Sequence, residues 1–126
     1  MDTHGEAAAE ADAMIHGAHA SCYHWSKVGN ATNLSIGEWQ ISRVYAVLKR
    51  PEPALYHARR CLEISEQNKL PAFNLGYAHE ALARALSLTH DPAAQQHLDQ
   101  AHQHATAITD PEEQKVLLAD LQTIIL

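Results

Sequence analysis

The chain has 126 residues, two cysteines, ten histidines and a formal net charge of −6 with histidine counted neutral. That length suits one domain able to bury roughly two-thirds of the surface its unfolded form exposes, so neither a disulfide nor a structural metal is required. The acidic balance argues against a general affinity for phosphate backbones or anionic membranes, and neither nucleic acid nor membrane is an expected partner. An excess of Ala and Leu, with little Gly, Phe or β-branched enrichment, points to an all-α fold. Charge is nevertheless uneven: Arg43, Lys49, Arg50, Arg59, Arg60 and Lys69 make a weakly basic belt between acidic ends.

In chain order, apolar spacing predicts six helices. The first runs from Thr3 to Val28 with Ala7, Ala11, Met14, Ala18, Cys22 and Trp25 at steps of three and four, a narrow seam that Gly29-Asn30 ends. For the second, Ser35 and Glu38 suggest a capping box, and Arg50 closes it before Pro51. The third, from Pro53 to about Gln67, turns Ala54, Ala58, Cys61 and Leu62 inward. Pro71 opens the fourth, whose seam is Leu75, Ala78, Leu82, Ala85 and Leu86. Asp91-Pro92 and Asp110-Pro111 each set a capping carboxylate before a proline whose missing N–H costs nothing in a first turn, which starts the fifth and sixth. Their inward residues are Ala94, Leu98, Ala101, Ala105 and Ile108, then Leu117, Leu121 and Ile124. Two cysteines at core spacing with no export leader read as reduced thiols, so the expected compartment is the cytoplasm.

A repeat runs through the middle. Trp39, Ile41, Ser42, Tyr45 and Leu48 answer, 34 residues on, to Phe73, Leu75, Gly76, His79 and Leu82. This pattern resembles the tetratricopeptide repeat, with Ala54 and Ala58, then Ala94 and Leu98, on the second helix of each pair. It departs from it in standing each aromatic one residue closer to the small-residue pair and in lacking the second-helix Phe. The resemblance implies antiparallel hairpins stacked in a right-handed superhelix. On that basis residues 1–126 form a single domain, with 3–28 and 110–126 as capping helices around two repeat-like pairs in 35–108. Small side chains at Ser42 and Gly76 would let helices approach closely.

The resemblance further implies that the first helix of each pair lines a groove for a protein or peptide segment. Ile36, Trp39 and Arg43 share one stripe of the second helix; Phe73, Tyr77, Glu80 and Arg84 share one of the fourth. Aromatics interleaved with Arg concentrate binding energy, and guanidinium suits a carboxylate, so an acidic segment is an expected partner. Buried inter-repeat core is the plainer reading of Trp39 and Phe73. No cofactor and no catalytic residue are expected. Two alternatives stand beside this: a homodimer whose exposed apolar residues complete burial, and an enzyme using histidine. For the latter, Asp12, His16 and His19 lie on one face of the first helix, where imidazole and carboxylate are metal-ligand types, but no Glu-x2-His or His-Glu-x2-His completes a motif. His57 and His79 sit beside apolar seams, where an imidazole bonded to a neighbouring helix is the ordinary outcome.

Overall fold

The computed structural model describes the backbone of residues 3–28 and 30–126 and the side chains of residues 7–23 and 30–126. The described residues form six α-helices: α1 (Thr3–Val28), α2 (Ala31–Val47), α3 (Pro51–Gln67), α4 (Ala72–Ser87), α5 (Ala93–Thr106) and α6 (Pro111–Gln122). Among the described residues there is no strand, and no helix is long and apolar enough to cross a membrane.

Three of the five connections are built alike. Lys49, Lys69 and His90 take positive φ, at 60°, 50° and 55°. The next amide of each then reaches back five residues, from Arg50 to Tyr45, Leu70 to Ser65 and Asp91 to Leu86, at 2.9–3.1 Å. This closes the helix C-terminus as glycine usually does. A proline follows two residues later each time, at Pro51, Pro71 and Pro92. It forces the residue before it out of helical geometry and suits the opening of the next helix. The result is a tight reversal, so consecutive helices run antiparallel.

Cross-helix contacts fix the layers. Ser35 meets Ser65 and Ser42 meets Ala54, so α2 and α3 are antiparallel. Trp39 meets Tyr77 and Arg43 meets Glu80, so α2 and α4 run the same way. Tyr77 with Asp120 and Arg84 with Thr123 set α6 parallel to both. The helices α2, α4 and α6 therefore form one parallel row, and α4 packs on α2, α3, α5 and α6. Of its expected seam, Ala78, Leu82, Ala85 and Leu86 are buried, as are Ala54, Ala58 and Cys61 of α3 and Ala94, Ala101 and Ala105 of α5, while Leu62, Leu75, Leu98 and Ile108 are half-buried. Small residues permit the approach. A Cβ on Gly76 would stand 2.5 Å from Leu117 Cδ2, and one on Gly37 would stand 3.1 Å from Cys22 Sγ.

Some local expectations change. Asn30, not Ser35, caps α2, its side chain accepting from the Asn33 N–H at 3.0 Å. Ser35 is a turn inside the helix, buried, with its hydroxyl 2.8 Å from that of Ser65. Its polar group is satisfied between helices, which a capping pattern in the sequence does not distinguish. The third helix starts at Pro51, two residues earlier than expected. Met14 is 44% exposed, so the α1 seam narrows to Ala11 and Cys22 among its described residues; Trp25, His24 and Gly29 lie outside them. Asp91 and Asp110 do cap: they accept from the Ala93 N–H at 2.9 Å and the Glu112 N–H at 2.9 Å.

Candidate binding groove

Between α2, α4 and α6 lies a cavity of about 330 Å³. Ile36 and Trp39 come from α2, Phe73, Asn74 and Tyr77 from α4, and Val116 and Asp120 from α6, with Ser35 and Cys61 at its back. Its volume lies near the low end of ligand pockets, about 300–1,000 Å³. Three rings make its wall: Trp39 stands edge-on to Tyr77 at 5.4 Å, and Phe73 edge-on to Tyr77 at 5.1 Å. Trp39 and Phe73 are both partly buried, and Ile36 is exposed.

The wall is held from behind by a buried carboxylate. Glu80 has no exposed surface; its Oε2 accepts the Trp39 indole N–H at 2.7 Å, and its Oε1 accepts from Arg84 Nε at 2.8 Å and Arg43 Nη1 at 3.3 Å. Arg84 continues to the Asp120 carbonyl at 3.1 Å and the Thr123 hydroxyl at 2.7 Å. Tyr77 donates to Asp120 Oδ2 at 2.5 Å; burial, and then that carboxylate, push its phenol well above the ordinary range. A carboxylate out of water is tolerable only when paired and hydrogen-bonded, and here all three helices around the cavity supply its network.

This fixes where the stripe residues stand. Ile36, Trp39, Phe73 and Tyr77 come together on the cavity. Glu80 lies beneath the surface, covered by the groups it binds. Arg84 is committed to Glu80 and α6, while Arg43 spends one N–H on Glu80, lies over the Trp39 ring at 5.8 Å and stays 31% exposed. Sequence periodicity missed Asp120 and Val116 because α6 read only as a cap, and Asn74 because it stands one residue off the Phe73–Tyr77 stripe of α4. The available signal was a carboxylate set between Leu117 and Leu121 in an apolar seam.

Cys61, at the back of the cavity, is 1% exposed, and burial pushes its thiol up to about 11. Cys22 is likewise raised to about 11, by burial and then by Glu38. Neither is a poised nucleophile, since the thiolate is the reactive form.

Five of the histidines fall into two groups. His57 Nδ1 is 2.6 Å from Glu38, and the His57 ring stacks on Tyr45, whose hydroxyl is 3.1 Å from His19 Nε2. His79 Nδ1 is 3.0 Å from His97 Nδ1, and its other neighbour in the stack is His104. His57 and His79 thus face different helices. Asp12 and His16 are exposed on α1, and among the described residues no group of three or more His, Cys, Asp or Glu is arranged to hold a metal ion.

No protein-family model, curated protein or solved structure matches the chain.

Proposed function

We propose that the protein is a tetratricopeptide-like helical-repeat binding module without catalytic activity of its own. In this reading it works in the cytoplasm and takes a bulky apolar side chain of a partner protein segment between α2, α4 and α6. The observation that carries this is the apolar cavity of about 330 Å³ with Trp39, Phe73 and Tyr77 in its wall. Rigid aromatic walls lose little conformational freedom on binding, and a cavity already open needs no rearrangement. The Glu80 network supports the same reading, because it holds Trp39 in place before any partner arrives. One short cavity implies weak to moderate affinity.

The test is selection of peptides from a random library displayed against the whole protein, followed by binding to Asn74→Trp, which fills the cavity from the α4 side. Selected peptides are expected to share a bulky apolar residue and to lose most of their affinity for the variant. Peptides that bind the filled variant as well as the wild type would overturn the proposal.

A further inference from the structure

A second, separate cavity of about 570 Å³ lies at the C-terminal ends of α2 and α4, on the side of Arg43 and Arg84. Its lining includes cations, which the first cavity lacks. Arg43, Lys49, Arg84 and His90 line it, and no Asp or Glu does; its apolar floor includes Val47 and Leu88. Helix C-termini favour cations, which by itself accounts for Lys49 and His90. It does not account for Arg43, which lies four residues inside the helix end and holds most of its guanidinium N–H groups free of Glu80. Nor is this charge neutralised in place: among the described residues neither Lys49 nor His90 has an ion-pair partner. Buried Glu80 offsets only one of the two guanidinium charges it touches.

From this charge complementarity, and resting on the proposed apolar anchor site, we infer that the partner segment carries acidic side chains at a fixed distance from its apolar anchor. The anchor occupies the cavity beside Trp39 and the carboxylates occupy the cavity beside Lys49 and His90. The spacing follows from the helix. On α2, the first cavity centres near residues 36–39 and the second near residues 43–47, roughly eight residues or ~12 Å apart at the helical rise. An extended peptide covers that distance in about four residues.

The experiment uses fluorescein-labelled nonapeptides with one tryptophan and two aspartates four positions away, on either side, and neutral twins with asparagine in place of aspartate. Affinity is read by fluorescence anisotropy against the wild type, Asn74→Trp and Lys49→Asn/His90→Asn, since asparagine tolerates the left-handed backbone at both positions. For one chain direction the acidic peptide is expected to bind about tenfold tighter than its neutral twin at low salt, an advantage that screening should erase at high salt. The double variant should remove that advantage, so that acidic peptide and neutral twin bind it alike. Acidic and neutral peptides of equal affinity, both weakened by Asn74→Trp, would overturn this inference and leave the anchor site standing. Failure of every peptide to bind would sink both.

Discussion

Ser42 and Gly76 stand 34 residues apart at the same place in the repeat, yet they solve different problems. Ser42 donates to the Ala54 carbonyl at 2.8 Å, so the first unit uses a hydroxyl where α2 meets α3. At Gly76 a Cβ would stand 2.5 Å from Leu117 Cδ2 of α6, so any side chain there would force Leu117 to shift. The neighbouring positions diverge in the same way. Trp39 gives its N–H to Glu80, whereas its counterpart Phe73 only packs; Tyr45 bonds to His19, whereas His79 lies among imidazoles. A repeat in sequence therefore preserves spacing and small size, while the chemistry at each position answers to whichever helix comes next.

The largest effect should come from removing what joins the two units. Glu80→Ala leaves two guanidinium groups and the Trp39 N–H without their shared acceptor, and loss of one partner of a buried pair costs about 3–5 kcal/mol. Urea unfolding followed by Trp fluorescence measures it; a loss under 1 kcal/mol would show that the units pack independently of this carboxylate.

Next is acid, which acts on the second unit through His79. Its imidazole is lowered to about 4, first by burial and then by the charges of His97 and His104. His97 is lowered as well, by burial and then by Arg59. The unfolded chain takes up protons below about pH 6.5 while folded His79 does not until about 4. Stability is then complete above pH 6.5 and falls as pH drops toward 4, by on the order of 2–3 kcal/mol for this group. Urea midpoints at pH 7.5, 5.5 and 4.5 should decline more steeply in the wild type than in His79→Leu, and parallel curves would refute the assignment.

The smallest effects sharpen the Ser42 and Gly76 contrast itself. Gly76→Ala forces Leu117, itself wholly buried, to shift, and overpacking should outweigh the helix propensity gained, for a net loss of about 1–2 kcal/mol. Ser42→Ala removes one hydrogen bond and leaves packing intact, about 1 kcal/mol. Leu117→Val should recover part of the Gly76→Ala loss and none of the Ser42→Ala loss. Identical responses in both backgrounds would mean that the two positions do the same job.

Much of the architecture was legible in the chain alone. Helix periodicity, the carboxylate caps at Asp91 and Asp110 and the paired units follow from spacing and backbone chemistry, which are local. The stripe Phe73, Tyr77, Glu80 and Arg84 is one face because 3.6 residues make a turn, and no partner helix can change that. Even the three reversals were written in the sequence, as Lys49, Lys69 and His90 each two residues before a proline, though only their common φ made the pattern visible. What the chain could not determine was which atoms across helices meet. Glu80 reads as a groove-lining charge until Trp39, Arg43 and Arg84 close over it, and Asp120 reads as part of a cap until Tyr77 reaches it. Those contacts depend on how α2, α4 and α6 sit side by side, a global packing decision that no window of one helix contains.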